Sequence, residues 1–252
     1  MSNDSIRENP RFKEYFLVYM DLLGSKDRIL NYTDPDDWNT DLGYLHSVYQ
    51  LYKKAIEYKN EIYERYRPRG LQTKIFSDNI VIAAEVPDTE EEMKNTLIFL
   101  SYVASRFQTY ALYLDGWLVR GCLTCGKLYL HENPSFIWGE GLVRAYNIET
   151  HVAIYPRVVI DNRIVGATGK TLRDLLNDDG VISKNIICGE DDVCYLNYFN
   201  IITNSYTYDE KESLSTESGA QLSMLEQEYQ DNPEVLLKIK WTKNLWIKYW
   251  DV

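Results

Sequence analysis

The spacing of apolar residues in the first half of the chain alternates between the pattern of a buried strand and that of amphipathic helices. A nearly continuous apolar run at Tyr15–Met20 predicts a strand covered on both faces, and Asp21 follows it directly. From Leu45 to Tyr66 and from Glu91 to Leu114, apolar positions instead recur close to the 3.6-residue period of a helix. This region therefore contains a buried strand and two long helices.

Between the two helices, the pattern predicts a β-hairpin. Thr73–Phe76 and Ile80–Ala84 both read as short strands. The link Ser77-Asp78-Asn79 consists of residue types that favour tight turns. Asp78 is therefore expected at the tip of a hairpin.

After the second helix, Trp117–Leu130 predicts a strand, residues 139–150 a helix, and Arg157–Ile160 an apolar strand. The order is strand, helix, strand, strand, helix, strand, helix, strand. Two βαβ-type units around a shared antiparallel hairpin predict an α/β fold, and more specifically an α+β sandwich with a βαββαβ core and helices on one sheet face. We assign residues 12–165 to this core and residues 166–252 to a C-terminal extension packed on the same domain.

The C-terminal extension has a weaker pattern. We expect a short helix at Lys170–Leu176 and a strand-like segment at Val193–Ile202. A polar loop at Thr203–Gly219 and a final helix over residues 232–249, which begins at Asn232-Pro233, should follow. The Asn-Pro pair suits the cap and the first turn of the last helix.

Composition narrows the possible functions. With 45 % hydrophobic residues, the 252-residue chain can form a packed core, and its formal net charge of −11 opposes binding along a nucleic-acid backbone. The polar, acidic N-terminus does not resemble a signal peptide, and no apolar stretch reaches the length of a membrane span. We expect a soluble, cytoplasmic protein that binds neither nucleic acid nor membranes.

The four cysteines give little support for a zinc site. Cys122 and Cys125 form a single C-x-x-C within a predicted strand, where residues three apart point to opposite faces. Cys188 and Cys194 lack the spacing of metal ligands. For Cys122 and Cys125, structural thiols are the preferred interpretation, with metal binding or redox chemistry as the alternative.

Asp21 and Asp78 are the candidates for chemistry. In a βαββαβ sheet the end of the first strand and the tip of the hairpin are neighbours, which places two carboxylates together. Carboxylate oxygens are preferred ligands of hard cations such as Mg²⁺, which neutralise phosphates and activate an attacking oxygen. Taken singly, each aspartate could equally be a helix cap or part of an Asx turn.

Four segments, in the same order, resemble motifs of the class III adenylate and guanylate cyclases. They are YMDLLGS around Asp21, KIFSDN around Asp78, VRGCLTCGK from Val119 and IWGEGLVRA from Ile137. The resemblance implies the palm-like fold of these cyclases, two Mg²⁺ or Mn²⁺ ions per site, and ligands from Asp21, Asp78 and the nearby carbonyl of Leu22. It also implies a homodimer with active sites at the interface and a nucleoside triphosphate as substrate.

The segments depart from the purine cyclases at the residues that read the base and stabilise the transition state. The Asn and Arg of the last motif are replaced by Val143 and Asn147, and the Asp two positions before the tryptophan is Phe136. Lys74 occupies the position of the base-reading lysine. With WGEGLVRAYNIE and YPRVVID, the chain resembles the pyrimidine cyclases of bacterial anti-phage (Pycsar-type) systems.

This resemblance implies conversion of UTP, or less favourably CTP, to a 3′,5′-cyclic nucleotide and pyrophosphate, with the product activating a separate effector in antiviral defence. Arg120 and Arg144 are the candidates for charge stabilisation, because arginine grips phosphate oxygens in bidentate fashion. Salt bridges are the alternative role for both. Further candidates are Lys74, Phe136 and Tyr146 for the base pocket and Lys127 for the triphosphate, with core, interface or solvent-exposed positions as the alternatives.

Two other interpretations remain. The missing Asn and Arg would suit a catalytically inactive, cyclase-like protein that binds a partner, although such a protein has no physical need for two adjacent carboxylates. Another palm-fold enzyme, such as a diguanylate cyclase, would share the sheet and the metal chemistry. The hairpin sequence FSDN lacks the G-G-D/E-E-F pattern of that class.

Overall fold

The computed structural model describes residues 12–25, 38–132, 135–176, 186–203 and 208–250. Within these ranges the strands are β1 Lys13–Leu23, β2 Gln72–Phe76, β3 Asn79–Glu85, β4 Leu118–His131, β5 Phe136–Trp138, β6 Val158–Ile160, β7 Ile186–Cys188 and β8 Cys194–Leu196. The helices are α1 Trp38–Tyr66, α2 Glu90–Asp115, α3 Glu140–His151, α4 Arg163–Thr168, α5 Leu172–Leu175, α6 Tyr198–Thr203, α7 Tyr208–Glu228 and α8 Pro233–Trp250.

One sheet organises the molecule. Its strand order is β2-β3-β1-β4-β6-β8-β7, and β5 pairs with β4 beside this path. The first four strands are antiparallel to their neighbours, whereas β4 and β6 are parallel. Together with α1 and α2, these four strands form the predicted βαββαβ core, so the α+β prediction is confirmed.

β1 lies at the centre of the core sheet, which explains its nearly continuous apolar sequence. Because side chains alternate across a strand, Phe16, Val18 and Met20 pack on one face against α1 and α2. On the other face, Leu17 and Tyr19 pack in a smaller cluster that includes Ala145 of α3. The expectation of helices on a single sheet face was therefore wrong: α3 covers part of the second face.

The register of β1 places the candidates Asp21 and Arg120 side by side, with Asp78 in the adjacent hairpin turn. Asp21 pairs with Asn79 of β3 on one side and with Arg120 of β4 on the other. Phe76 pairs with Asn79, which leaves Ser77 and Asp78 as the two-residue turn of the hairpin. Asp78 therefore lies at the predicted hairpin tip.

The C-terminal residues extend the same sheet and cover one end of it. β8 pairs with β6 and β7, and a disulfide joins Cys188 to Cys194 across the last two strands. α6, α7 and α8 share an apolar cluster with Leu112 of α2 and Leu118 of β4. No helix in the described ranges combines the length and the hydrophobicity that a membrane span requires.

Two predictions for this region were wrong. The strand-like segment 193–202 contains only the short β8, after which α6 begins at Tyr198. Thr203–Gly219, predicted as a polar loop, lies largely in α7, although residues 204–207 are outside the described ranges. The buried stripe of α7 alternates leucine with serine at Leu214, Ser218 and Leu222, so its hydrophobic period is faint in the sequence.

Candidate active site

Asp21 and Asp78 are neighbours near one end of the central strands of the core sheet. Asp21 leaves β1 on the face that carries α3, and its side chain is only 15 % exposed. Asp78 is oriented by three contacts: its main-chain carbonyl accepts from the amide of Leu22 at 3.3 Å, and its carboxylate accepts from Asn79 Nδ2 at 3.0 Å and from the hydroxyl of Ser25. Gly24, with φ of 82°, turns the chain so that Ser25 can reach back to the hairpin.

The surroundings of Asp21 favour an added positive charge. Burial, followed by the nearby carboxylates of Glu149 and Asp78, raises the pKa of Asp21 to about 7, and Arg120 offsets only part of this effect. Two adjacent carboxylates form a suitable donor set for a hard dication, because a cation removes their mutual repulsion. The predicted metal pair thus fits Mg²⁺ or Mn²⁺ chemically.

The side chains supply only part of a coordination shell. Among the described residues, no group of three or more His, Cys, Asp or Glu side chains is arranged to hold a metal ion. Mg²⁺ commonly binds through one or two carboxylates, substrate phosphates and waters, so Asp21 and Asp78 match that mode rather than an all-protein cage. Leu22 lies in β1 with a buried side chain, and its carbonyl remains a predicted ligand.

Arg120 and Glu149 flank the carboxylate pair. Arg120 Nη2 donates to Asp21 Oδ2 at 3.5 Å, the long limit of a hydrogen bond, whereas its Nε forms a closer ion pair with Glu149 Oε1. The side chain of Glu149 is only 3 % exposed. The predicted phosphate-binding arginine therefore lies beside Asp21 and is held by a buried acid from α3.

Aromatic side chains line the same face next to the carboxylates. The hydroxyl of Tyr19 donates to Asn79 Oδ1, and burial beside Glu149 and Asp21 raises the pKa of Tyr19, which keeps the phenol neutral. The ring of Tyr146 meets that of Tyr19 edge-on, with the centroids 6.4 Å apart. Tyr146, a predicted base-pocket residue, is half exposed beside Tyr19.

Lys74 and Phe136 form a second cluster on the sheet, near the β4–β5 turn. Lys74 Nζ donates to the carbonyl of His131 at 2.9 Å and to Ser135 Oγ at 3.0 Å. Phe136 is exposed, and its ring lies 6.2 Å from that of Tyr129. The structure thus brings the predicted base-reading lysine and the predicted stacking ring to the same turn.

Arg144 and Lys127 lie away from the metal pair. Arg144 makes a bidentate contact with Asp161 after β6, with Nη2 to Oδ1 at 2.7 Å, and Thr124 also donates to this carboxylate. Within the chain, Arg144 therefore has the alternative role of a salt bridge. Lys127 pairs with Glu14 near the opposite end of β1 from Asp21, so one chain does not bring it to the carboxylates.

Glu149 is the main residue of the candidate site that the sequence interpretation missed. It belongs to a buried stripe on α3 whose members are four positions apart, namely Gly141, Ala145 and Glu149. Two small residues followed by an acid at the same helical spacing are a usable signal, since a helix that rests on a sheet buries this stripe. Ser25 and Asn79, which orient Asp78, are short polar residues of ordinary turn type and gave no separate signal.

The cysteines do not contribute to this site. Cys122 pairs with Tyr19 and Cys125 with Phe16, so the two thiols lie on opposite sheet faces as predicted. Both are buried and unpaired by disulfides, and burial raises the pKa of the Cys125 thiol to about 12. A protonated, buried thiol is a poor nucleophile and metal ligand.

Comparisons with known proteins identify structural neighbours only. No protein-family model and no curated protein sequence matches the chain. Among solved structures, the adenylyl cyclase CyaB from P. aeruginosa matches at 13 % identity over 73 % of this chain and 92 % of that chain, with a TM-score of 0.43.

Two further neighbours have similar values. The monomeric guanylyl cyclase domain of the RhoGC fusion protein from Blastocladiella emersonii matches at 12 % identity over 73 % of this chain and 95 % of that chain, with a TM-score of 0.43. Adenylate cyclases from Trypanosoma brucei in their monomeric state match at 13 % identity over 78 % of this chain and 94 % of that chain, with a TM-score of 0.41. These values describe similarity, and the activities named are those of the neighbours.

Proposed function

We propose that this protein is a nucleotide cyclase that converts UTP, or less favourably CTP, to the 3′,5′-cyclic nucleotide and pyrophosphate with two divalent cations. The observation that carries the proposal is the pair Asp21 and Asp78, held together by the β1 register and by the turn of the β2–β3 hairpin. Such a pair is costly to bury unless a cation neutralises it, and two-cation chemistry is a common route to phosphoryl transfer.

In this reaction the ribose 3′-hydroxyl loses its proton to water, its oxygen attacks the α-phosphorus, the bond from that phosphorus to the bridging oxygen breaks, and pyrophosphate leaves. The divalent cations, when bound, supply Lewis acidity and neutralise the phosphates. Asp21 and Asp78 would hold them, with the Leu22 carbonyl as a further ligand. Arg120 lies next to Asp21 and can bind the triphosphate oxygens in bidentate fashion.

Base selection is assigned to the Lys74 cluster. Lys74 carries only donors, and its present partners, a carbonyl and a hydroxyl, are neutral. A base that offers a carbonyl oxygen suits such a donor, and uracil presents one where cytosine presents an amino group. Phe136 is exposed and can stack on a pyrimidine ring. This chemistry supports UTP over CTP.

A homodimer would complete the site. Large apolar side chains are exposed on the elements that border it, namely Phe76 on β2, Phe136 and Trp138 on β5, and Val143 and Tyr146 on α3. Trp138 alone is 61 % exposed. An exposed apolar surface of this kind is typical of an interface, and a second copy of the chain is the occupant that our proposal assigns. Metals from one chain and the Lys74 cluster from the other would then form each site.

The resemblance to the pyrimidine cyclases extends the proposal to the cell. The cyclic nucleotide would act as a cytoplasmic second messenger that activates an effector in antiviral defence. The effector is then a partner only through the product.

A catalytically inactive, partner-binding protein is the second candidate. It is favoured by Val143 and Asn147, which replace the Asn and Arg of the purine cyclases, and by Arg144, whose guanidinium is occupied by Asp161. An assay of turnover separates this candidate from the first.

The test is incubation of the purified protein with each ribonucleoside triphosphate and Mg²⁺ or Mn²⁺, with mass spectrometry of the products. We expect cyclic UMP and pyrophosphate in equal amounts from UTP. Asp21→Ala and Asp78→Ala should reduce the rate by at least about 100-fold, as losses of groups that act in the transition state do. Asp88→Ala, at an exposed loop position, is the matched control and should leave the rate unchanged.

Cyclic AMP or cyclic GMP as the main product would refute the pyrimidine assignment and retain the cyclase. Failure to convert any triphosphate, in a folded sample that still binds Mn²⁺ through Asp78, would favour the partner-binding protein.

A further inference from the structure

Glu149 is buried beneath the carboxylate pair, and both of its carboxylate oxygens have partners other than Asp21 and Asp78. Its Oε1 forms an ion pair with Arg120 Nε, and its Oε2 accepts from Thr150 Oγ1 at 3.0 Å. With a side chain only 3 % exposed, Glu149 needs a positive partner, because an unpaired buried charge is strongly unfavourable. Binding of the triphosphate by Arg120 does not explain why a buried glutamate lies beside it.

Arg120 is shared unequally between two carboxylates. It lies closer to Glu149 than to Asp21, where the contact is 3.5 Å. Without Glu149, the Arg120 guanidinium would form a close bidentate pair with Asp21, which is the more accessible carboxylate. Instead the Nε side of the guanidinium faces Glu149 of α3 in an ion pair, and only Nη2 reaches Asp21.

We propose that Glu149 is a positioning residue that sets the divalent-cation affinity of the Asp21–Asp78 pair by holding Arg120 off Asp21. The inference rests on the proposed function, because it assumes that the pair binds cations. Glu149 acts through Arg120 and is not itself a ligand.

Because Glu149 and Arg120 carry opposite charges, their removal should change the affinity for divalent cations in opposite directions. Glu149 adds a negative charge to the site and restrains a positive one, so its loss should weaken cation binding twice over. Loss of Arg120 should do the reverse, because it removes the cation that competes for Asp21. A purely structural ion pair would instead weaken binding when either partner is removed.

The experiment is a Mn²⁺ titration of the intact chain, read by electron paramagnetic resonance of free Mn²⁺ without nucleotide. We expect Glu149→Gln to weaken binding by roughly tenfold and Arg120→Gln to strengthen it by roughly threefold or more, the scale of one unit charge a few ångströms away when water largely screens it. The double variant removes the pair together, leaves no unpaired buried charge, and should bind within about threefold of the wild type.

Glu140→Gln is the matched control, because Glu140 lies on the same helix and pairs with Arg163 at the exposed surface. Its Mn²⁺ affinity should be that of the wild type. If Glu149→Gln does not fold, Arg120→Gln compared with Arg120→Lys, which keeps the charge and should bind Mn²⁺ like the wild type, still tests the inference.

The inference is overturned if Glu149→Gln and Arg120→Gln both weaken Mn²⁺ binding, or if neither changes it, while the wild type binds through Asp78. That result would leave the proposed function intact. If the wild type shows no Asp78-dependent Mn²⁺ binding, the proposed function itself fails, and the inference fails with it.

Discussion

Asp21 illustrates how one residue takes its chemistry from the fold rather than from its type. An exposed aspartate ionises near pH 4, yet burial beside Glu149 and Asp78 raises the pKa of Asp21 to about 7. In the folded, cation-free protein this group therefore holds a proton over a pH range in which the unfolded chain has lost it. Ionising Asp21 in the folded state costs stability.

This shift predicts a pH-dependent stability. Because the folded state binds more protons, the contribution of Asp21 is complete below about pH 4 and is lost as the pH rises through about 7. We expect Asp21→Asn to raise the melting temperature of the cation-free protein at pH 8 by on the order of 5 °C. The difference from the wild type should shrink toward pH 4, as measured by calorimetry in chelator.

Saturating Mn²⁺ should reverse this order, because the cation stabilises the wild-type carboxylate pair. An Asp21→Asn variant that melts at the wild-type temperature at every pH would contradict the assigned surroundings of Asp21.

At the residue scale, the sequence predicted that the two aspartates lie close together, but it did not predict which residues surround them. Asp78 lies in a turn sequence and Asp21 directly follows an apolar run, so their neighbourhood could be predicted, although β1 continues two residues beyond Asp21 to Leu23. Glu149 takes its importance from burial against Arg120, a residue of another element, and such a contact depends on how α3 rests on the sheet. A sequence pattern fixes the stripe on a helix but not its partner.

At the scale of elements, the candidate site depends on close contact between β1 and β4. Gly121 pairs with Met20, and a Cβ atom at this position would lie 2.3 Å from the carbonyl oxygen of Tyr19. That distance is well inside van der Waals contact, so any side chain must push the two central strands apart. The glycine thus sets the strand spacing one position away from the Asp21–Arg120 pair.

Gly121→Ala should therefore lower the free energy of unfolding by roughly 2 kcal/mol or more, the range of strain from overpacking in a well-packed core. Gly166→Ala is the matched control. A Cβ atom there meets nothing within 4 Å, and a helical alanine is favoured over glycine, so stability should be unchanged or slightly higher. Urea unfolding of both variants measures the difference, and equal stabilities would contradict the strand contact.

The elements of the core could be predicted because each has a strong period, whereas those of the extension could not. β1 shows a continuous apolar run since both of its faces are covered, and α1 and α2 show helical spacing. α7 buries Ser218 in its stripe and packs Gly219 against Trp246, so its contact with α8 relies on small residues instead of large apolar ones. A stripe of small residues resembles a polar loop in sequence.

For the molecule as a whole, the two candidate clusters lie at separate places on one chain. The Asp21–Asp78 pair lies at the end of β1, and the Lys74 cluster lies by the β4–β5 turn. Exposed apolar residues of β5 and α3 lie around these clusters. A homodimer that joins the metal pair of one chain to the Lys74 cluster of the other accounts for both features, and sequence patterns within one chain cannot specify such a pairing.

The dimer predicts complementation between two inactive variants. Asp78→Ala and Lys74→Glu should each be inactive alone, but mixed dimers contain one site built from two intact clusters. After unfolding and joint refolding, activity should recover to about a quarter of the wild-type value, since half of the dimers are mixed and each has one working site. Light scattering should show a mass of about twice 29.6 kDa for the wild type.

Trp138→Asp should give a monomer without activity, because it places a charge in the proposed interface. Met224→Asp, an equally exposed apolar position on α7, should remain dimeric and active. Recovery of no activity on mixing, in samples that are dimeric, would mean that each chain builds its own site.

The most direct test of the central claim is anomalous diffraction from crystals grown with Mn²⁺ and a UTP analogue whose α–β bridge cannot be cleaved. We predict two Mn²⁺ peaks per site, each within roughly 2.5 Å of a carboxylate oxygen of Asp21 or Asp78, with the triphosphate bound to them. A bound analogue without Mn²⁺ at these two aspartates, or Mn²⁺ held only elsewhere on the chain, would contradict the assignment of this pair as the catalytic metal site.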